Sequence, residues 1–153
     1  MLFRSGIISA PVTLKARQAG FRELVNITEK NVPMIHAAFA TTKEFVKDHP
    51  DRVRQFLQAY LEGLKIARTD AEQTRQVIGK YTRITNTEEL DETYRTFLPA
   101  WEKVPYVRAA GVQTLLSFAT HPGAPAARPD QFIDNSFLAE LERSGFVERL
   151  YQP

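Results

Sequence analysis

The first forty residues carry short apolar runs separated by turn residues. One run covers residues 6–10 and stops at Pro11, and two further runs rich in β-branched and aromatic residues cover residues 21–27 and 34–39. Runs of this length between proline and glycine are typical of buried strands. Because a helical stretch separates the first two runs, the pattern predicts an α/β arrangement with a small sheet within residues 6–40.

Helix signals begin inside this region and dominate after it. A short helix is predicted over residues 13–19, with Gly20 in the usual C-terminal role of glycine. The sequence Thr41-Thr42-Lys43-Glu44 fits a capping box, in which the Thr41 hydroxyl accepts a backbone N–H and the Glu reaches back. That helix should stop near His49, and Pro50 is well placed at the first position of the next helix.

The helix after Pro50 has the clearest pattern in the chain. Its apolar residues recur at helical spacing and form one stripe: Val53, Phe56, Leu57, Tyr60 and Leu64. A second capping box, Thr69-Asp70-Ala71-Glu72, predicts another helix to about Lys80. Further helices are expected after Asn86, up to the region of His121, and from a cap at Asp134 through Ser144, where Gly145 would end the last one. The C-terminal two-thirds is therefore predicted to be helical.

Composition narrows the class of protein. The chain has 153 residues, 20 Lys+Arg, 18 Asp+Glu and no Cys. Zero cysteines exclude a disulfide scaffold, thiolate metal sites and a cysteine nucleophile. The basic residues are scattered, which disfavours nucleic-acid binding, and no apolar stretch reaches the roughly 18 residues that span a bilayer. The first six residues lack the pattern of an export signal, so none is expected within this chain.

Few residues suggest chemistry. The three histidines (His36, His49 and His121) have no partners at metal-ligand spacing, so no metal site and no catalytic residue is predicted. An acidic cluster at residues 88–92 is interpreted as favourable charge at a helix start. Four neighbouring aromatic residues are interpreted as core packing rather than a ligand site: Tyr94, Phe97, Trp101 and Tyr106. Four basic residues near the first strands could attract an anion, but they are interpreted as solvated surface: Arg4, Lys15, Arg17 and Arg22.

One local arrangement points to a ligand. Ser9-Ala10-Pro11 lies where the first predicted strand ends and the chain turns. In open α/β sheets, ligands bind outside the carboxyl ends of strands, where backbone N–H groups and short polar side chains converge. These three residues are candidate ligand contacts, and an ordinary strand end is the alternative.

Several segments together resemble a known family. Ile8-Ser9-Ala10-Pro11 followed by Ala16, Gly20-Phe21 and Leu24 is similar to the middle of solute-binding proteins of ABC importers. The branch is the nitrate/sulfonate/taurine and thiamine-pyrimidine-precursor type. The helix at residues 48–59 resembles the family's helix after its second interlobe crossing. The ending from Phe132 to Phe146 resembles its C-terminal helix.

The resemblance implies a fold and a function. It implies part of a type II periplasmic-binding-protein fold, in which residues 1–30 are a remnant of lobe two, 31–40 an interlobe crossing and first return strand, and 41–153 the helical return to lobe one. Ser9, Ala10 and Pro11 would face the ligand cleft, and Pro33 and Met34 would flex during closure. Capture by hinge closure involves no chemistry, so no enzyme activity and no cofactor are expected.

The resemblance also implies binding partners and a location in the cell. The complete protein would bind a small solute and deliver it to an ABC permease in the membrane, outside the cytoplasm. Family members are about twice this length, so the chain resembles their latter half. Because the first lobe has no counterpart here, we expect self-association or a companion chain that covers the missing half, and weak or absent solute binding by the chain alone.

Two other functions stay open. One is an enzyme on the same fold, such as a pyrimidine synthase that consumes its own side chains; a mass change after incubation with iron, pyridoxal phosphate and oxygen would favour it. The other is a stand-alone helical interaction module, which a well-behaved monomer without exposed apolar surface would favour.

Overall fold

Helices make up most of the structure. The computed structural model describes residues 5–30, 32–35 and 37–152, and within those residues it contains α-helices and short 3-10 helices but no strand. The α-helices are α1 (Val12–Gln18), α2 (Lys43–Asp48), α3 (Pro50–Thr69), α4 (Ala71–Thr82), α5 (Thr87–Phe97), α6 (Ala109–Phe118), α7 (Ser136–Arg143) and α8 (Phe146–Leu150). The 3-10 helices are Thr28–Lys30, Leu98–Ala100, Ala124–Ala126 and Pro129–Gln131. The helix-rich C-terminal two-thirds is confirmed.

The predicted sheet in residues 6–40 is wrong for the described part of that stretch. Residues 6–9, 21–26, 32–35 and 37–40 are neither helix nor strand, and His36 in the third predicted strand lies outside the described residues. A strand makes its backbone hydrogen bonds to a neighbouring strand, so apolar runs that have no neighbour cannot form a ladder. The pattern identified segments suited to strands, but this chain does not pair them.

The end of α1 confirms the role predicted for glycine. Gly20 has a left-handed φ of +83°. Its N–H donates to the Arg17 carbonyl at 3.0 Å, and the Phe21 N–H donates to the Ala16 carbonyl at 3.0 Å. This pair of bonds satisfies carbonyls that the helix end leaves free, and glycine adopts the required φ without steric cost.

Two predicted capping boxes are shifted by one residue. Thr42 rather than Thr41 caps α2, and its hydroxyl accepts from the Phe45 N–H at 3.1 Å. Because the cap is one residue later, Glu44 is no longer three residues after it. Its side chain is therefore not at the position that accepts from the backbone N–H of the cap residue in a capping box. Asp70 caps α4 by accepting from the Gln73 N–H at 2.9 Å. Thr69 cannot do so because it ends α3.

Other helix ends match the predictions more closely. Helix α2 ends before His49, α3 starts at Pro50, and Asn86 caps α5 by accepting from the Glu89 N–H at 3.0 Å. The cap predicted at Asp134 is displaced: α7 begins at Ser136, whose N–H donates to Asp134 at 2.9 Å, while Asn135 occupies the cap position.

Gly145 ends α7 with a φ of +72°, as predicted, but α8 follows it, so α7 is not the last helix.

The chain divides into two units, which are described separately. The described part of the first comprises residues 5–26 and 64–102, and that of the second comprises 27–30, 32–35, 37–63 and 103–152. In the first unit α4 packs on α5, and the buried residues are Leu14, Leu64, Thr74 and Thr93. In the second, α7 packs on α8, and the buried large apolar residues are Leu61, Val112, Leu138, Leu141 and Val147.

Much apolar surface stays exposed. Between residues 5 and 40, Leu14 is the single buried residue among those described. Ten large apolar side chains in this stretch expose from 41% to 88% of their surface: Ile7, Ile8, Val12, Phe21, Leu24, Val25, Ile27, Val32, Met34 and Phe39. A monomeric soluble protein rarely exposes so many large apolar side chains within one stretch of its sequence.

The total surface area leads to the same conclusion. The chain exposes 11987 Å², whereas a compact chain of this mass would expose about 7,900 Å². Two separate compact bodies with the sizes of the two units would expose about 9,500 Å². The excess over two separate bodies, roughly 2,500 Å² by the same scaling, means that the units themselves are incompletely covered.

A close contact in the second unit yields a stability prediction. A Cβ built on Gly111, in α6, would lie 2.8 Å from Cγ1 of Ile35. We expect Gly111→Ala to be less stable than Gly63→Ala by about 1–3 kcal/mol, because Ile35 must move. Gly63 in α3 is the matched control, since a Cβ there meets nothing within 4 Å; Gly63→Ala should stabilise by about 0.5–1 kcal/mol. Urea unfolding measures both variants, and equal stabilities would contradict the contact.

Candidate functional site

The three predicted ligand contacts form the entrance to α1. Ser9 is exposed, and its carbonyl accepts from the Thr13 N–H at 3.3 Å. Pro11 occupies the cap position of α1, and its carbonyl accepts from the Leu14 N–H at 3.1 Å. Ala10 and Pro11 are half-buried. The turn into a helix is therefore as expected, but the strand that should precede it has not formed.

The Ser9 side chain is available to a ligand. Its hydroxyl makes no hydrogen bond to any other described residue, and the residue is exposed. A hydroxyl can both donate and accept one hydrogen bond, so it suits a small polar solute.

The two predicted hinge residues lie in an irregular segment of the second unit. Pro33 and Met34 are both exposed, and Met34 exposes 41% of its surface. The next residue, Ile35, is half-buried against Gly111 of α6. The segment is thus anchored immediately after the pair, while the pair itself carries no regular hydrogen bonding that would oppose a change in φ and ψ.

Ion pairs join α1 to α5 within the first unit. Lys15 Nζ lies 3.2 Å from Glu89 Oε1, and Arg17 Nη2 lies 2.5 Å from Glu92 Oε1. Gln18 Nε2 donates to Glu88 at 3.3 Å. The hydrogen bond with Glu92, and then its charge, raise the pKa of Arg17.

These ion pairs change the interpretation of both charged groups. Lys15 and Arg17 were considered as an anion site or a solvated surface, and the acidic cluster as helix-start charge. Lys15 and Arg17 instead neutralise carboxylates of α5, which leaves little positive charge for an anion. Arg22 is exposed, and Arg4 lies outside the described residues.

The aromatic residues predicted to pack together are split between the units. Tyr94 and Trp101 of the first unit have ring centroids 5.9 Å apart, and Phe97 exposes 38% of its surface. Tyr106 belongs to the second unit, where its hydroxyl donates to Glu142 at 2.7 Å; this bond raises the pKa of Tyr106. The structure therefore brings Tyr94 and Trp101 together and leaves Phe97 at the surface.

Sequence reasoning missed an aromatic cluster in the second unit. Phe39 meets Phe56 and Tyr60 of α3 edge-on, with centroids 4.8 and 4.9 Å away. Burial raises the pKa of Tyr60, yet Phe39 still exposes 63% of its surface. The i, i+4 spacing of Phe56 and Tyr60 showed one half of this cluster, but no local signal indicated Phe39.

The histidines that the structure describes have structural contacts. His49 meets the Phe45 ring at 5.0 Å, and His121 Nδ1 accepts from the Gly123 N–H at 3.0 Å. Among the described residues, no group of three His, Cys, Asp or Glu side chains is placed to hold a metal ion. No helix in the described ranges is both long enough and apolar enough to cross a membrane.

Comparison with known proteins identifies the N-terminal segment. Residues 6–74 match the model of the family described as NMT1/THI5 like. This is the nitrate/sulfonate/taurine and thiamine-precursor type of binding protein, so the resemblance found in the sequence is confirmed for that segment. The match includes Ser9-Ala10-Pro11 and α3, whereas the C-terminal resemblance at residues 132–146 lies outside it. No curated protein and no solved structure matches the chain.

The family consists mostly of solute-binding proteins, which usually work outside the cytoplasm. Residues 6–74 are therefore similar to a solute-binding type in the general sense.

The α1–α5 ion pairs predict how firmly α1 is held. We expect Arg17→Gln to speed hydrogen exchange of the α1 amides about two- to fivefold, since exposed ion pairs contribute little and locally. Arg22→Gln removes the same charge from an exposed residue and should leave the exchange unchanged. Raising the salt concentration should speed α1 exchange in the parent chain more than in Arg17→Gln. Identical exchange in the two variants would rule out a holding role for Arg17.

Proposed function

We propose that this chain forms part of a solute-binding protein of an ABC importer, which captures a small organic or anionic solute by hinge closure and delivers it to a membrane permease. The observation that carries the proposal is the family match over residues 6–74. The chain performs no chemistry in this role and needs no cofactor. It acts outside the cytoplasm, at the membrane that holds the permease.

The exposed apolar surface supports the proposal. In a two-lobe binding protein the predicted strands would lie within sheets, and their apolar side chains would be covered. Here Ile7, Phe21 and Leu24 each expose 70% or more of their surface. This is the surface expected of a piece that packs against further structure, and a companion chain or a second copy would supply the cover.

Hinge closure assigns roles to the five candidate residues. Ser9, Ala10 and Pro11 face the cleft, where the free Ser9 hydroxyl donates to or accepts from the solute. Pro33 and Met34 change their backbone angles as the lobes close. Ligand stabilises the closed state because it contacts both lobes there and one lobe in the open state. A single lobe surface therefore binds the solute weakly.

Solute binding is tested with and without a first lobe. We expect calorimetry to detect weak or no binding of nitrate, taurine or an aminopyrimidine by the chain alone. A fusion that places the N-terminal half of a nitrate/sulfonate/taurine-type binding protein before residue 5 should bind one of these solutes. Tight binding by the monomeric chain alone, or no binding by a folded fusion, would contradict the proposal.

The site is tested by two serine variants of the fusion. Ser9→Ala should weaken binding about three- to tenfold, because it removes one hydrogen bond to the solute. Ser5→Ala removes an exposed hydroxyl four residues earlier and should bind as the parent does. Equal affinities of the two variants would exclude Ser9 from the site.

A second candidate is an enzyme on the same fold, because the matching family includes THI5-like members that can be enzyme-like beside its binding proteins. Such an enzyme would modify its own side chains. Mass spectrometry after incubation of the fusion with iron, pyridoxal phosphate and oxygen separates the two functions. An unchanged mass supports the binding protein, and a mass change on a histidine supports the enzyme.

A further inference from the structure

Ile35 is the single half-buried residue in a long exposed stretch of the chain. Every other residue between 17 and 45 whose burial the structure describes is exposed, including Pro33 and Met34 directly before it. Residues 32–35 make no backbone hydrogen bond to another described residue. The packing of the Ile35 side chain is therefore what holds the chain next to the two proposed hinge residues.

Ile35 packs on Gly111 of α6, and it can do so only because residue 111 is glycine. A Cβ built on Gly111 would lie 2.8 Å from Cγ1 of Ile35, 3.4 Å from its Cδ1 and 3.6 Å from its backbone nitrogen. Carbon atoms pack at about 3.5–4.0 Å, so the first distance leaves no room for a side chain. Isoleucine is branched at Cβ and has few rotamers, so its Cγ1 does not turn away easily.

The end of α6 that carries Gly111 is itself well held. Gly111 is buried. Just before α6, the Asn135 side chain binds both backbone groups of Val107, accepting from its N–H at 3.0 Å and donating to its carbonyl at 3.0 Å. Helix α6 also packs on the 3-10 helices Ala124–Ala126 and Pro129–Gln131. Ile35 is therefore anchored to a fixed part of the second unit.

The two sides of the proposed hinge differ in how they are held. On the N-terminal side, Val32 exposes 50% of its surface, and the residues from 17 to 30 whose burial is described are all exposed. On the C-terminal side, Ile35 packs on α6, and Phe39 meets two aromatic rings of α3 edge-on. A hinge is a few residues that absorb changes in φ and ψ between parts that stay rigid. Residue 35 is where the rigid part begins.

We propose that Gly111 is a positioning residue for hinge closure, because it lets Ile35 pack on α6 and so fixes the end of the hinge from which Pro33 and Met34 bend. The inference rests on the proposed function, in which these two residues change their backbone angles. With a side chain at position 111, Ile35 is displaced and the hinge takes several angles. A smaller fraction of the protein then reaches the closed arrangement, and the apparent dissociation constant rises by the inverse of that fraction.

The first test locates Ile35 in the chain alone. Nuclear magnetic resonance with methyl-labelled isoleucine should show a nuclear Overhauser effect between Ile35 and the Hα atoms of Gly111. Gly63→Ala should keep this signal, since a Cβ at Gly63 meets nothing within 4 Å, and Gly111→Ala should shift the Ile35 methyl resonances. Absence of the Overhauser effect from the parent chain would overturn the inference, whether or not any solute binds.

The second test measures closure in the fusion described above. Gly111→Ala should raise the solute dissociation constant about three- to tenfold, whereas Gly63→Ala should leave it unchanged. At saturating solute, small-angle scattering should show a smaller decrease in the radius of gyration for Gly111→Ala than for the parent. A variant that only folded less well would bind with lower stoichiometry, and its folded fraction would close as the parent does.

The third test asks whether Gly111 acts through Ile35. Ile35→Ala removes the atom that a Cβ at position 111 would meet, and it should weaken solute binding because the anchor is lost. Adding Gly111→Ala to Ile35→Ala should change the affinity by less than about twofold, because both substitutions act on one contact. Effects that simply add would overturn the inference.

The outcomes separate this inference from the proposed function. A folded parent fusion that binds no solute would overturn the proposed function, and this inference with it. A fusion that binds solute and closes equally well with Gly111 and with Gly111→Ala would overturn the inference alone. Circular dichroism should show the same helix content in the parent and in every variant under the conditions of the binding measurements.

Discussion

The central constraint on this molecule is that a strand cannot make its backbone hydrogen bonds within itself and needs a neighbouring strand. A helix makes its hydrogen bonds within one segment, whereas a strand exchanges them with a neighbour. In this chain the helices form wherever caps and apolar stripes favour them. The three apolar runs of residues 6–40 have no neighbouring strand, so they remain irregular, and most of their described residues are exposed.

Without a sheet beside it, α1 is held in the first unit by few contacts. Its buried side chain is Leu14, and Lys15 and Arg17 add ion pairs to α5. A helix of this length is marginal alone, and one buried leucine adds only a few kcal/mol of apolar burial. The N-terminal region is therefore attached by a small apolar contact and by charges that salt can screen. Its remaining apolar surface is free to pack against something else.

Local signals predicted the helices well. Pro50 at a helix start, Asn86 at a cap and Gly20 and Gly145 at helix ends each act through neighbours within a few residues, so the sequence is sufficient to place them. Thr41 and Thr69 failed because two adjacent polar residues competed for one cap. The strands failed because a strand depends on a neighbouring strand, which no signal within a few residues can specify.

In the candidate site, too, features set by nearby residues were predicted, and contacts between residues distant in sequence were not. The entrance of α1 at Ser9-Ala10-Pro11 was visible from a proline after an apolar run. The pairing of Arg17 with Glu92 was not, since the two residues are far apart in sequence and only the folded first unit brings them together. Phe39 was missed for the same reason, because it meets Phe56 and Tyr60 through the fold.

The central claim is that the apolar N-terminal region finds its backbone partners outside the monomer. Hydrogen exchange of the amides of residues 22–25, followed over a dilution series, tests it most directly. The account predicts exchange close to the unfolded rate in dilute solution and protection that rises with concentration, while the amides of α4 and α5 stay protected throughout. Strong protection of residues 22–25 in the dilute monomer would contradict the account, because the chain would then cover this segment itself.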